Sequence, residues 1–381
     1  DDGLGMGAHE TGSWRRNDRA ILLASIRRCK VALMARPLPS ILRAAWPAAH
    51  PEPPAAALLA IDRAVEVLRR GGLVAMPTET VYGLAANALD EEAVAGIFRA
   101  KGRPATNPVI VHVADVAMAR SLAAAWPEAA EAIATRFWPG PATVVVPRGP
   151  RIPDVVTAGG PTVALRCPDH PLTRRLIAAA ATPLAAPSAN RSEAVSPTTA
   201  QHVLDALGNR IDLILDGGPC SKGIESTVID CTTSPPRILR PGPLSRAEIE
   251  AALGGPVAWP EAAPAAGPAR APGQQARHYA PRTPLELAAD ASHRVAALVA
   301  EGRRIGWLTT RTEDPEVRRL AASRDLVVVP MPADAAGFAA RLYATLHALD
   351  QRQLDRIVIE QPPDTEDWRA VHDRLSRAAS R

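Results

Sequence analysis

Pro77–Val113 reads PTETVYGLAANALDEEAVAGIFRAKGRPATNPVIVHV. An apolar run ending at Met76 precedes it, and a second, Val109–Val113, closes it. Between these runs stand Thr78, Glu79, Thr80, Lys101, Arg103 and Asn107, with His112 inside the second. Polar residues at the ends of strands can face a cleft instead of the core. The chain has three lysines (Lys30, Lys101 and Lys222) among its 44 Lys and Arg residues, so Lys101 departs from a strong habit. Arginine forks around planar oxyanions, whereas lysine brings a compact point charge to one oxygen. Lys101-Gly-Arg103, followed by Pro104 and Asn107, therefore reads as a phosphate-binding loop. A solvated basic turn after a helix is the other reading of the pair.

The 381 residues are enough for two or three domains with a real core. Hydrophobic residues are 47% and charged residues 22%, ordinary for a soluble globular protein. The net charge of +4 permits an anionic partner without requiring one. Aromatics at 3% are too few for a stacking platform along single-stranded nucleic acid. Cys29, Cys167, Cys220 and Cys231 lack the close pairing of a zinc site and read as free thiols. No apolar run approaches the ~20 residues needed to span a bilayer. Ala20–Val31 carries its charges after its apolar part, the reverse of a signal peptide. The chain reads as cytoplasmic.

Outward from the opening stretch, residues 1–54 show no sustained period and read as a poorly ordered extension. Leu58, Ile61, Val65 and Leu68 fall at helical spacing, stopped by Gly71-Gly72. Leu73–Met76 is a strand, and Ala93–Arg99 a helix with Lys101 and Arg103 just beyond its end. His112 in its strand reads first as a satisfied core residue. Thr162–Arg166 (TVALR) is a strand starting on a hydroxyl and ending on a cation. Leu184–Asn190 (LAAPSAN) runs from a strand into a turn where Ser188 and Asn190 can hold a polar ligand. Ser196 reads as the N-cap of a helix Thr198–Leu207, whose free N–H groups also suit a phosphate. Short strands mixed with helices give an α/β domain over 55–253. Residues 254–281 are a Pro/Ala/Gly-rich linker ending in Arg277-His-Tyr-Ala-Pro281. Strands and helices then alternate through 282–381 as a small doubly wound α/β domain.

Gly-x-Gly-x-x-Gly, Walker-A, His-Glu-x-x-His and Gly-x-Ser-x-Gly patterns are missing from the sequence. The residues alone thus stop at an α/β protein with a phosphate or nucleotide cleft. Taken in order, however, PTETVYGL, KGRPATNPVIVHV, WPGPAT, TVALR, AAPSAN, GIESTVID, ILRPGP and RHYAP closely resemble the threonylcarbamoyl-AMP synthase family, in its longer two-domain YrdC-like form. The motifs run from about residue 61 to 281, and the C-terminal domain resembles the family's accessory domain more loosely.

That resemblance implies an open, twisted mixed sheet with a concave basic cleft. It implies that ATP, L-threonine and bicarbonate or CO2 give L-threonylcarbamoyl-adenylate and pyrophosphate, with Mg2+ accompanying the phosphates. The product would supply the tRNA threonylcarbamoyl-transfer machinery, with direct tRNA contact open. Lys101 and Arg103 are implied as the catalytic phosphate-holding pair, with Asn107 beside them. Thr162, Ser188, Asn190, Ser196 and Arg240 are implied at the nucleotide, and Thr80, His112, Arg166 and Ser226 at threonine, Arg166 on its carboxylate. Tyr279 is implied as a lid. The family tends to carry Pro-Gly-Met-Lys-Tyr before this lid, where the chain has Pro272-Gly-Gln-Gln-Ala276, so Tyr279 would close alone.

Two other functions compete. A non-catalytic module could bind double-stranded RNA by charge, although a phosphate-only surface would need mainly cations, not this mixture of Thr, Ser, Asn and His. A carbamoyl-transfer enzyme related to hydrogenase-maturation proteins would normally bring zinc-finger and acylphosphatase-like sequence, and neither is present.

Overall fold

The strand β2 (Val74–Met76) alternates strictly between two cores: Val74 and Met76 face one cluster, Leu73 and Ala75 the other. Period-2 alternation with both faces apolar marks a central strand buried on both sides. The computed structural model describes residues 38–44, 46, 52–259 and 278–380. Residues from Pro39 onward form one compact unit.

Its larger sheet comprises β1 (Ser40–Arg43), β2, β3 (Gly83–Asn87), β4 (Val111–His112), β5 (Ala142–Pro147), β6 (Thr162–Arg166), β7 (Leu184–Ala185), β8 (Leu213–Asp216), β9 (Thr227–Asp230) and β10 (Arg237–Arg240). The order across it is β1-β8-β2-β3-β7-β4-β6-β5-β9-β10, with parallel and antiparallel pairs mixed. The helices Glu91–Lys101, Glu128–Phe137 and Ala200–Leu207 bury Val94, Ile97, Ile133 and Val203 in the core on one face. Against the β1–β3 half of the other face pack Ala55–Arg69 and Pro171–Ala180. Beyond them, Ile110, Val145, Ala164 and Val228 form a small cluster containing no helical residue. By the two-residue period, His112, Thr143, Arg166 and Ser226 share the face of that cluster. The sheet thus presents a stretch without a helix where the motifs converge.

Several expectations shift in detail. β1 lies inside the segment 1–54 expected to be an extension, and pairs in parallel with β8, Ile41 opposite Ile214. An edge strand of four residues with one apolar side half open carries too little pattern to read. Leu58, expected on the buried stripe, is 37% exposed; the helix Ala55–Arg69 instead buries Ala57, Ala60, Ile61, Ala64, Val65 and Leu68. The helix after Ser196 begins at Ala200 and is capped by Thr199, which frees the Ser196 hydroxyl for another role. Of the Pro/Ala/Gly-rich stretch, residues 260–277 lie outside the described residues, as do residues 1–37 and Cys29. Cys167, Cys220 and Cys231 are free thiols.

The second sheet is wholly parallel: β11 (Leu285–Ala288), β12 (Ile305–Thr309), β13 (Leu326–Pro330) and β14 (Arg356–Glu360), in the order β11-β14-β12-β13. Helices cover both faces, as the doubly wound reading expects. One of its cores is shared: Val81, Val195, Ile224 and Tyr279 pack with Leu342, Tyr343, Leu346, Val371 and Leu375. The contact is close at Gly223 (φ +72°), where a Cβ would lie 2.5 Å from the Ala340 carbonyl oxygen in the helix Ala335–Asp350. Gly223→Ala should therefore destabilise the protein by about 1–3 kcal/mol or more through overpacking and left-handed strain. Chemical denaturation of the two proteins checks this, with lower protection at the Ser196–Glu225 side as the accompanying sign. Among the described residues no helix is long and apolar enough to cross a membrane.

Candidate active site

Arg166 ends β6 beside His112, which ends β4 in parallel register with it. Its Nη2 donates to Glu79 Oε1 at 2.6 Å, Nη1 to Thr80 Oγ1 at 2.8 Å and Nε to the Gly140 carbonyl at 3.3 Å. Glu79 Oε2 accepts from the Asp169 amide at 3.1 Å. Thr80 in turn shares a 2.8 Å hydrogen bond with Thr78. The guanidinium is thus fixed from three sides, while each terminal nitrogen retains one further N–H. That is the donor set for a small carboxylate. The neighbouring His112 is pulled down to about 3, by burial first and by the Arg166 charge second. It is a neutral imidazole, and its buried Nδ1 has no partner. Thr80, His112 and Arg166 line one pocket with Ser226, whose hydroxyl meets Thr143 Oγ1 at 2.7 Å.

Lys101 is not beyond its helix but the last residue of it, with Gly102 (φ +63°) capping. Asp90 accepts the Glu92 and Ala93 amides at the other end. The helix thus runs two residues past Arg99 and carries the buried lysine inward. Its Nζ donates to the Ser188 carbonyl at 2.5 Å, the Asn190 carbonyl at 2.6 Å and Asn190 Oδ1 at 3.3 Å. All three ammonium donors are spent on the turn that carries Ser188 and Asn190. Burial, and then Arg103, push its pKa well down, while three acceptors favour the charged form. Lys101 here builds the turn; it does not stand free for a phosphate. Arg103 does line the pocket. It donates to the Asn107 carbonyl at 3.2 Å and the Pro108 carbonyl at 2.7 Å, and burial lowers it only to about 10, so it remains a cation. Both side-chain amide atoms of Asn107 are buried without partners.

The third wall comes from the loop before β9, the end of β10 and the segment resuming at His278. Ser196 donates to Glu225 Oε1 at 2.6 Å. Arg240 Nη2 donates to the Ser226 carbonyl at 2.9 Å and its hydroxyl at 3.2 Å. Tyr279, expected as a lid, is one of the pocket's lining residues, with φ +62° and its hydroxyl buried without a hydrogen bond. The space left in the pocket is about 40 Å³, far below the roughly 300 Å³ and upward of ordinary small-molecule sites. Thr162 does not join the group: it is half-buried at the end of β6 remote from Arg166, paired with Pro147.

A family model covering Sua5, YciO and YrdC, described as telomere recombination, matches residues 66–242. One described as threonylcarbamoyl-AMP synthase, C-terminal domain, matches 244–380. The threonylcarbamoyl-AMP synthase of Bacillus subtilis is 42% identical over 325 residues, 84% of this chain and 92% of that one. That of Pyrococcus abyssi is 40% identical over 322 residues, 82% of this chain and 92% of the relative. The chain belongs to the threonylcarbamoyl-AMP synthase family. A crystal structure of P. abyssi Sua5 complexed with L-threonine superposes with a TM-score of 0.79 at 38% identity, covering 89% of this chain and 97% of that chain.

For this family member the structure brings Thr80, Arg103, His112, Arg166, Ser188, Ser226, Arg240 and Tyr279 to one pocket. Lys101, Asn190 and Ser196 stand behind its walls as supports. Sequence reasoning gave no role to Glu225, although it lies in the quoted GIESTVID, and overlooked Arg374 and Tyr343 of the second domain. One signal for Arg374 was available. It stands three residues after Val371 and next to Leu375 on the apolar stripe of the helix Arg369–Ala379, and a cation there needs a partner.

Glu225 is held down to about 2: burial alone would raise it, and the charges of Arg374 and Arg240 with the Ser196 bond outweigh that. Its ordinary value is 4.5. On acidification the unfolded chain takes up this proton first, so the contribution is complete above pH 4.5 and is lost as pH falls towards about 2. Melting temperature measured from pH 6 to 3 should fall less steeply in Glu225→Gln than in the parent.

Proposed function

We propose that this chain is an L-threonylcarbamoyladenylate synthase, joining ATP, L-threonine and bicarbonate or CO2 with release of pyrophosphate. The observation carrying this reading is the division of one pocket into two chemistries. Arg166 with spare N–H groups, neutral His112, Thr80 and Ser226 suit an α-amino acid with a hydroxyl. Arg103 and Arg240 suit phosphates; Asn107, whose carbonyl holds Arg103 and whose amide is buried without partners, stands outside the lining. A duplex-RNA surface is disfavoured, because these cations are buried: Arg103 is 8%, Arg166 3% and Arg240 4% exposed.

In the proposed sequence the threonine carboxylate sits on Arg166, leaving the amine near His112. The amine nitrogen bonds to the bicarbonate carbon with loss of water, giving a carbamate. A carbamate oxygen then bonds to the α-phosphorus, and the bond to the β-phosphate bridging oxygen breaks, with its electron pair leaving on pyrophosphate. Little covalent chemistry is asked of the protein: alignment of the attacking oxygen and neutralisation of the leaving charge by Arg103 and Arg240 provide the rate. Lys101 contributes by fixing Ser188 and Asn190 against the nucleotide. Tyr279 must withdraw before ATP enters and would return over it, keeping water from a labile mixed anhydride.

The carboxylates at the pocket do not fit as direct metal ligands. Glu79 is committed to Arg166 and the Asp169 amide, and Glu225 to Ser196, Tyr343 and Arg374. Magnesium would come with the triphosphate, held by phosphate oxygens and water. The product would pass, in the cytoplasm, to the machinery that makes N6-threonylcarbamoyladenosine in tRNA, whether or not this chain touches the tRNA. The test is pyrophosphate release with each substrate omitted in turn. Release should need all three and fall when serine replaces threonine; release indifferent to threonine would overturn the reading.

A further inference from the structure

Glu225 has a single carboxylate, and three side chains from two domains converge on it. Ser196 takes Oε1 at 2.6 Å. Oε2 is held by Arg374 Nε at 2.8 Å and Tyr343 Oη at 3.0 Å, both from the C-terminal domain. The Arg374 side chain is 0% exposed. Its Nη2 donates to the Pro241 carbonyl at 3.0 Å and more weakly to the Glu225 carbonyl at 3.4 Å, while Nη1 meets Asp373 at 2.6 Å. Pro241 follows Arg240, and Glu225 precedes Ser226. One guanidinium thus grips the chain next to both Arg240 and Ser226, which line the pocket. It also lies 5.1 Å from the Tyr279 ring centre, and Tyr343 stacks on that ring at 5.8 Å.

We infer that the C-terminal domain completes the active site, with Arg374 and Tyr343 acting as positioning residues that set Glu225 and, through it, Ser196 and Ser226. This inference rests on the synthase reading above. A buried charged cluster is expensive to desolvate, and an apolar contact would hold two domains together at least as well. The shared apolar core already does so. What the cluster adds is direction: a forked guanidinium fixes both a carboxylate and neighbouring carbonyls in orientation. Glu225 is not a general base here, since both of its oxygens are occupied.

The test uses the full chain and initial rates of threonine-dependent pyrophosphate release well below the melting temperature. Arg374→Met should lower kcat on the order of 10²-fold, the scale of an ångström-level misplacement, with KM for threonine changed far less. Tyr343→Phe removes one O–H and no carbon, and should lower kcat about tenfold, the worth of a hydrogen bond to a charged group. The double variant Glu225→Gln/Arg374→Met should be less impaired than the product of its single variants, because neither leaves the other's charge stranded. Folded Arg374→Met with parental kcat and KM overturns the inference. If that variant yields no folded protein, Tyr343→Phe decides, and parental kinetics there overturn it equally. A parent chain that releases no pyrophosphate in response to threonine would instead overturn the synthase reading itself.

Discussion

Arg166→Met should abolish threonine-dependent pyrophosphate release and calorimetrically detectable threonine binding. Two separate losses combine. The substitution removes the guanidinium that stands next to His112 and Thr80 with N–H groups to spare, so the carboxylate of the amino acid loses its forked partner. It also strands Glu79, which is 7% exposed and would keep only the Asp169 amide. Breaking a buried pair from one side costs about 3–5 kcal/mol. The two losses are separable: Glu79→Gln/Arg166→Met should regain much of the stability and none of the threonine binding. Threonine affinity surviving in Arg166→Met would remove Arg166 from the amino-acid site.

Lys101→Met should reduce kcat/KM for ATP by on the order of 10²-fold, and Lys101→Arg should fail to restore it. The ammonium ties together the Ser188 and Asn190 carbonyls and the Asn190 side chain, all within 3.3 Å. A planar guanidinium cannot reach three acceptors arranged around a point. Loss of the donor also leaves buried carbonyls unsatisfied, at about 1–3 kcal/mol each. Hydrogen exchange should quicken at residues 188–192, where Ser192 N bonds back to the Lys101 carbonyl at 2.9 Å. Unchanged exchange there with lost ATP affinity would mean that Lys101 meets the phosphates directly.

Much of the catalytic fold was legible because each strand end is punctuated. TVALR is a strand over the predicted residues, since Pro161 and Cys167-Pro168 bound an apolar run with β-branched residues. β3, GLAAN, was not foreseen: glycine and alanine have weak strand preference, and close packing on Ala186 selects them. The helix before Lys101 runs two residues longer than its apolar pattern, because it ends at a glycine cap rather than at Arg99. Of the residues in the motifs, Thr80, Arg103, His112, Arg166, Ser188, Ser226, Arg240 and Tyr279 line one pocket, whereas Lys101, Asn107, Thr162, Asn190 and Ser196 lie outside its lining. The motifs could not reveal Glu225's partners, because Arg374 follows it by 149 residues in the chain and only the docked domains bring them together.

If threonine and ATP meet in this one pocket through a carbamate, a single turnover with ATP, L-threonine and 13C-bicarbonate, analysed by mass spectrometry, should yield an adenylate containing threonine and heavier by the mass of the label. Hydrolysis of ATP with no threonine adduct, or an adduct lacking the label, would contradict that route.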